Sequence, residues 1–270
     1  MSTHNDWFRS NIRDRLIDPT FDLALEINPY PFEEMSFREA ADYTARLIYS
    51  KHKKIYVSLS GGADSEYTLR SFHRNNIPVI PIIVDTSGNK QELMYAYKCC
   101  EELEYPPKII EVKDDLFLMT YYNIVNWICG YGIYSVPSII ACKYARDMKG
   151  VLVIGEHVID TDKNKNTIRP GANEWDFYNE CFVGEEHTIP FFNYTAELAY
   201  ALVKAISDEP LNVFKSKTYG TELRPIMKYE FGDKFNLVRN VIDRSRKFNP
   251  NPHVDLNHIA DTLEKYIIIR

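Results

Sequence analysis

The stretch Ile55-Tyr56-Val57-Ser58-Leu59-Ser60-Gly61-Gly62-Ala63-Asp64-Ser65 decides how this chain folds. Its first five residues have the length and β-branched content of a buried strand, and residues 66–74 follow with helical spacing. Two adjacent glycines let the backbone turn sharply between strand and helix, with its N–H groups directed toward one point. Because the helix adds the positive end of its dipole, the stretch predicts a binding site for an anion.

The side chains of this loop indicate which anion it binds. The hydroxyls of Ser60 and Ser65 are donors to phosphate oxygens, whereas the Asp64 carboxylate would repel a bare phosphate. A divalent cation between the carboxylate and a polyphosphate removes that repulsion, so the pattern predicts magnesium. The better-known nucleotide loops do not fit, because the sequence has neither GxxxxGK[ST] nor GxGxxG. A tight turn without a ligand is the alternative.

Strands and helices alternate along the next hundred or so residues. Apolar runs predict strands at residues 78–84, 109–112 and 151–155, and apolar residues at helical spacing predict helices at 93–103, 115–129 and 135–149. Parallel neighbouring strands need crossover connections, which are normally right-handed helices. The order therefore predicts an α/β fold, with a parallel twisted sheet and helices on both faces.

Helical extensions are predicted on either side of this core. Apolar residues recur at helical spacing over residues 37–48, after Ser36 as a candidate N-cap, and again over 198–206 and 256–267. We therefore divide the chain into an N-terminal helical extension at 1–52, a core domain at 53–220 and a C-terminal helical extension at 221–270.

Composition excludes several classes of protein. Of the 270 residues, 45% are hydrophobic and 26% charged, as in globular proteins, and the net charge of −6 disfavours general affinity for polyanions. Five cysteines without a CxxC pair predict neither a zinc framework nor a disulfide scaffold and favour the cytoplasm. The first residues lack the apolar stretch of a signal peptide, and no apolar run is long enough to cross a bilayer, so we expect no membrane association.

The loop Ser60-Gly61-Gly62-Ala63-Asp64-Ser65 resembles the PP-loop of the N-type ATP pyrophosphatases, whose pattern is SGGxDS after the first strand. These enzymes include the asparagine, GMP and NAD synthetases and the tRNA-thiolating branch. Val84-Asp85 lies where such proteins bind adenine through the backbone, and residues 155–160 are similar to the family's Gly-x-x-x-x-Asp turn. Residues 188–190 and 194–198 loosely resemble two further family segments, although the family's lysine falls on Thr195. The resemblance covers about residues 53–220 and implies a HUP-like fold of the Rossmann type.

The resemblance implies cleavage of ATP to AMP and pyrophosphate, with ATP and Mg²⁺ as cofactors. A substrate oxygen attacks the α-phosphorus, and the loop stabilises the departing pyrophosphate. A nitrogen or sulfur nucleophile then displaces AMP. The C-terminal four-cysteine zinc cluster of the deazaguanine branch and the cysteine motif of the sulfate-reducing branch are absent from this sequence, which weakens those two assignments.

Site residues follow from the loop, the resemblance and the placement of charge. We expect a catalytic role for Asp64, Ser60 and Ser65, and metal binding by Asp64 and Asp160. The residues expected to bind the nucleotide are Ser58, Ser60, Gly61, Gly62, Ala63, Asp64, Ser65, Val84, Asp85, Lys143, Gly155 and Arg224. The basic stretch 215–247 is a candidate for pyrophosphate or RNA, with Arg224 and Lys228 placed to reach the site, and residues 160–166 are a candidate lid.

Three functions stay open at this point. The first is an ATP-dependent synthetase that adenylates a small molecule, with ammonia or an amide-nitrogen donor protein supplying nitrogen. The second is a tRNA or nucleobase thiolation enzyme, for which Cys142 and Cys181 are the candidate thiol carriers. The third is an adenine-nucleotide-binding module without turnover. A homodimer is possible under each of them.

Overall fold

The computed structural model describes residues 7–10, 25–27, 33–120, 135–156, 159–162, 167–170, 188–208, 211–220 and 267–269. The strands are β1 Phe8–Ser10, β2 Leu25–Ile27, β3 Ile55–Ser58, β4 Ile80–Asp85, β5 Lys108–Val112, β6 Val151–Ile154, β7 Ile159–Asp162, β8 Thr167–Pro170, β9 Thr188–Pro190 and β10 Ile267–Ile269. The helices are α1 Phe37–Lys51, α2 Ala63–Arg74, α3 Lys90–Glu102, α4 Asp114–Thr120, α5 Ser135–Asp147, α6 Ala196–Asp208 and α7 Leu211–Tyr219.

The main sheet has six strands in the order β10-β5-β4-β3-β6-β9. Five of them are parallel, and β10 pairs antiparallel with β5 at one edge. Counted along the chain, the parallel strands have the order 3-2-1-4-5, so the direction of winding reverses between β3 and β6. Crevices at such reversal points, outside the carboxyl ends of the strands, are where open α/β sheets bind ligands. The predicted parallel α/β fold is confirmed, and the loop after β3 lies at its reversal point.

Helices cover both faces of this sheet, as predicted. Val57, Ile83 and Val153 face the layer that contains α1, α2, α3 and α6, and all three are fully buried in one hydrophobic cluster. On the opposite face α5 packs against the sheet, where the rings of Tyr144 and Tyr56 meet edge to face at 5.7 Å between centroids. Strands that are buried on both faces have continuous apolar sequences, and this pattern predicted β3, β4 and β6.

Short described stretches near both ends of the chain are strands, whereas helical extensions were predicted there. Ile267, predicted to end a helix, lies in β10, where it pairs with Val112 of β5. Three consecutive isoleucines suit a strand because β-branched side chains pack well on a pleated surface. Near the other end of the chain, β1 and β2 form an antiparallel pair, and the Trp7 indole donates to the backbone oxygen of Asn193 at 3.2 Å. Trp7 is therefore attached to the core, and the described part of the N-terminal extension contains two strands as well as α1.

A second difference concerns the candidate lid at residues 160–166, of which the structure describes residues 160–162. Residues 159–162 are the strand β7, which pairs antiparallel with β8, and Asp160 lies opposite Arg169 in that pair.

Within the described ranges, none of the helices combines the length and the hydrophobicity that crossing a membrane requires.

Candidate functional site

The loop between β3 and α2 turns at Gly61. Its φ of +90° lies in the region that L side chains rarely adopt, and a Cβ there would lie 2.1 Å from the backbone oxygen of Glu92. Gly61 therefore needs to be glycine both for its backbone angle and for the close approach of α3. Gly62 has an ordinary φ of −70° and serves as the N-cap of α2.

Two serines hold the loop in this shape. The Ser60 hydroxyl accepts from the Gly62 N–H at 3.2 Å, and the Ser65 hydroxyl accepts from the Ser60 N–H at 3.3 Å. Ser65 in turn donates to the Gly62 carbonyl at 2.9 Å. The two hydrogen bonds that the serine hydroxyls accept are at the long end of the usual distance range. A bound anion would therefore compete with weak internal acceptors for the N–H groups of Ser60 and Gly62.

The first turn of α2 presents the positive end of the helix. Gly62 has no side chain and makes no side-chain capping bond, in contrast to Ser36, which caps α1 as predicted, in a capping box with Glu39. The amides at a helix start need a partner from outside the helix when the N-cap supplies none. At the ligand-facing edge of the sheet, this helix start is suited to a phosphate.

Gly155 lies directly against this helix start. A Cβ on Gly155 would be 2.7 Å from the Ser65 amide nitrogen and 2.8 Å from the carbonyl carbon of Asp64. The structure thus brings two predicted segments together, the loop after β3 and the turn after β6, although 90 or so residues separate them. The role of Gly155 in nucleotide binding stays a prediction.

The Asp64 carboxylate is held by helix α7. Lys215 donates from Nζ to Oδ2 at 2.5 Å, and Tyr219 donates from its hydroxyl to Oδ1 at 3.2 Å. The side chains of Lys215 and Asp64 are 19% and 24% exposed, so the ion pair is only partly accessible to water. Sequence reasoning missed Tyr219 and favoured Arg224 and Lys228 over Lys215, and those two residues lie outside the described ranges.

An aromatic cluster fixes α7 beside the loop. Its members are Phe37, Tyr67, Phe192, Phe214 and Tyr219, all of them buried. The Tyr219 ring stacks on Tyr67 at 4.3 Å and 21°, and Phe214 meets Phe37 edge to face at 5.1 Å. Burial, with the neighbouring Asp64 carboxylate, raises the pKa of Tyr219 well above its ordinary value. Tyr219 therefore keeps its proton and remains a donor to Asp64.

The Val84-Asp85 segment ends β4 in a self-bonded turn. Asn89 donates to the Val84 carbonyl at 2.9 Å and accepts from the Thr86 N–H at 2.9 Å, while Asp85 forms an ion pair with Lys90. Because the Val84 carbonyl already has a partner, a base bound here would have to use other groups of this segment or share that oxygen. Adenine binding at Val84 and Asp85 stays a prediction.

Of the remaining candidates, the structure describes the side chain of Lys143 but not those of Asp160 and Arg224. The Lys143 side chain is 4% exposed and pairs at 2.5 Å with Asp147, which lies one turn further along α5. For Asp160 only the backbone is described, and Arg224 is not described. Thr195, which stands where the family has lysine, caps α6 by accepting from the Leu198 N–H at 3.3 Å.

The residues of the site fit a magnesium ion that arrives with a nucleotide. Among the residues whose side chains are described, no group of three or more His, Cys, Asp or Glu could enclose a metal. Magnesium commonly binds through one or two carboxylates together with substrate phosphates and water. Asp64 suits that arrangement once Lys215 releases Oδ2.

Comparison with protein-family models gives no match, and comparison with curated protein sequences gives none either. Solved structures with a similar fold include the U34-tRNA thiolase NcsA from Methanococcus maripaludis, with a TM-score of 0.45 and 16% identity over 85% of this chain and 79% of that one. NMN synthetase from Francisella tularensis has a TM-score of 0.38 and 13% identity, over 82% of this chain and 100% of that one. The NH3-dependent NAD synthetase from Campylobacter jejuni has a TM-score of 0.37 and 13% identity, over 86% of this chain and 95% of that one.

Two of these neighbours are synthetases and one is a tRNA thiolase. At such scores and identities the likeness assigns no reaction or substrate to this chain. Only the residues of the loop and their neighbours bear on the function of this chain.

Proposed function

We propose that this chain is an AMP-forming, ATP-dependent synthetase that adenylates an oxygen of a small molecule. The observation that carries the proposal is the start of α2, an uncapped helix N-terminus with Asp64 in its first turn, placed by Gly61 and Gly155 at the reversal point of the sheet. Such a site accepts an anion and supplies a carboxylate for the accompanying cation.

In the proposed reaction, the α2 N-terminus and the loop amides bind the β- and γ-phosphates. A carboxylate or amide oxygen of the substrate attacks the α-phosphorus, and the bond to the oxygen that bridges the α- and β-phosphorus breaks. Pyrophosphate leaves, and its developing charge is stabilised by the helix end and by the serine hydroxyls. Ammonia then attacks the activated carbon, a carbon–nitrogen bond forms, and AMP departs with the electrons of its bond to that carbon.

Bound magnesium would neutralise charge on the phosphates, with Asp64 as its ligand. Ser60 and Ser65 keep the loop in the shape that directs its amides to the phosphates. Asp160 as a second metal ligand and Arg224 and Lys143 as phosphate contacts remain part of the proposal.

The described cysteines favour nitrogen over sulfur as the second nucleophile. Burial raises the pKa of the Cys99 thiol to about 12, of Cys100 to about 11 and of Cys142 to about 12. A sulfur carrier needs an accessible thiolate near neutral pH, which these three buried side chains do not provide. Cys181, the other candidate carrier, lies outside the described residues. We therefore place thiolation second and ammonia, or an amide-nitrogen donor protein, first.

The test is ATP–pyrophosphate exchange measured against a panel of small carboxylates and amides. We expect at least one substrate to support exchange, with AMP and not ADP as the nucleotide product. Asp64→Asn should lower the exchange rate about 100-fold or more, because the cation loses its protein ligand. Asp115→Asn, the same change at an exposed position on α4, serves as the control and should leave the rate unchanged.

Two results would contradict the proposal. One is ADP as the product, and the other is exchange that Asp64→Asn leaves intact. Tight ATP binding without exchange on any substrate would support the nucleotide-binding module instead.

A further inference from the structure

The Asp64 carboxylate already has a cation in the structure. Lys215 contacts Oδ2 at 2.5 Å and the Tyr219 hydroxyl contacts Oδ1 at 3.2 Å, so both carboxylate oxygens have donors. A divalent ion prefers carboxylate oxygens that are free of such donors, and the positive ammonium repels it at this distance. A metal ion that arrives alone therefore has to displace the Lys215 ammonium before it can bind Asp64.

Helix α7 is fixed, whereas its lysine side chain can move. Phe214 and Tyr219 are 3% and 5% exposed and lie in the aromatic cluster, so the backbone of α7 cannot leave without exposing two rings. Lys215 lies between them in sequence, on a flexible four-carbon stem with three donors. Its ammonium can change partners while the helix stays in place.

The position of Asp64 supplies the alternative partner. Asp64 is the second residue of α2, in the first turn after the Gly62 N-cap. An ammonium within 2.5 Å of its carboxylate therefore lies beside the helix start, where the proposed function places the phosphates. Lysine binds phosphate oxygens through charge-assisted hydrogen bonds.

We propose that Lys215 and a divalent cation compete for Asp64, and that a bound polyphosphate ends the competition by taking the Lys215 ammonium. The inference rests on the proposed function, since it concerns the same loop, and it adds a regulation of metal entry. Lys215 stays paired with the Asp64 carboxylate until a nucleotide binds. The metal then binds to Asp64 and the phosphates together, and Lys215 becomes a phosphate contact.

The first arm of the test uses Mn²⁺ alone, measured by electron paramagnetic resonance on the full chain. We expect Lys215→Met to bind Mn²⁺ about tenfold more tightly than the wild type, because a competing cation has been removed. Lys217→Met, an exposed lysine of the same helix, should behave as the wild type. Adding Asp64→Asn to Lys215→Met should abolish the gain and so place it at Asp64. Equal Mn²⁺ affinity in Lys215→Met and wild type would overturn the proposal.

The second arm uses ATP with EDTA and isothermal titration calorimetry. Lys215→Met should weaken ATP binding about tenfold, since the phosphates lose a charged donor. The decisive comparison is in the Asp64→Asn background, where no carboxylate remains to repel ATP. If Lys215→Met still weakens binding there, the ammonium contacts the nucleotide. If the loss disappears, Lys215 only neutralises Asp64 and the transfer to phosphate is wrong.

A wild-type measurement covers the case in which Lys215→Met does not fold. Mn²⁺ alone should increase the rate at which an acetylating reagent modifies Lys215, followed by mass spectrometry, while Lys217 reacts at the same rate. An unchanged Lys215 rate at saturating Mn²⁺ would contradict the competition.

The two proposals fail in different ways. If the wild-type chain binds no ATP, the proposed function and the phosphate contact of Lys215 both fail. The Mn²⁺ arm contains no nucleotide and still decides whether Lys215 excludes a cation.

Discussion

Gly61 and Glu92 approach each other so closely that no side chain fits between them, since a Cβ on Gly61 would be 2.1 Å from the Glu92 carbonyl oxygen. This contact sets the loop after β3 against the first turn of α3. The shape of the loop is therefore defined jointly by backbone atoms of two elements.

Gly61→Ala should lower the free energy of unfolding by about 2–5 kcal/mol, since alanine is strained at positive φ and also collides with backbone. The matched control is Gly220→Ala, where φ is +65° and nothing lies within 4 Å of the added Cβ. That variant should lose only the strain cost, about 1–2 kcal/mol. Urea denaturation of both variants is the measurement. Equal losses would mean that the contact with Glu92 contributes nothing.

Gly155→Ala should push the start of α2 away from β6, because the new methyl group would lie 2.7 Å from the Ser65 amide nitrogen. We expect a loss of about 1–3 kcal/mol in stability, together with weaker ATP binding. Gly62→Ala is the comparison for stability, since its Cβ meets only the Ser60 hydroxyl at 3.3 Å and its φ is ordinary. It should cost less than about 1 kcal/mol. A Gly155→Ala variant as stable as Gly62→Ala would show that this packing is not required.

Tyr219→Phe tests what the hydroxyl contributes separately from the ring. The ring still stacks on Tyr67, and only the hydrogen bond to Asp64 at 3.2 Å is lost. We expect a loss of about 0.5–1.5 kcal/mol in stability by denaturant titration. Tyr219→Ala also removes the buried ring and should cost about 3–5 kcal/mol. If both variants lose the same amount, the stacking does not hold α7 in place.

The buried thiol of Cys142 makes the free energy of unfolding depend on pH in the alkaline range. Burial raises its pKa from an ordinary value of 9.0 to about 12, so the unfolded chain loses this proton at lower pH than the folded chain does. The stabilisation is complete below about pH 9 and is lost as pH rises toward 12, at up to about 1.4 kcal/mol per pH unit. Denaturation under reducing conditions at pH 8, 9 and 10 measures the slope. Cys142→Ala should have a shallower slope than the wild type, and an identical slope would contradict the assignment.

Local sequence determined the strand, loop and helix from Ile55 to Arg74 and the parallel sheet around them. Hydrophobic periodicity, turn glycines and N-cap residues affect only neighbours within a few positions. The roles of Ser36, of Gly61 and of the apolar runs in β3, β4 and β6 can therefore be predicted from the local sequence. The same reasoning misplaced Ile267, because a short isoleucine run fits a helix or a strand equally well until β5 offers it an edge.

Only the tertiary structure decided what surrounds Asp64. Lys215 is 151 residues further along the chain, and no local pattern distinguishes it from the other lysines of the basic stretch. It reaches Asp64 because Phe214 and Tyr219 bury their rings against Phe37 and Tyr67. Gly155 likewise meets Ser65 only because β6 pairs beside β3. Contacts of this kind depend on the packing of whole elements, which neighbouring residues in the sequence do not encode.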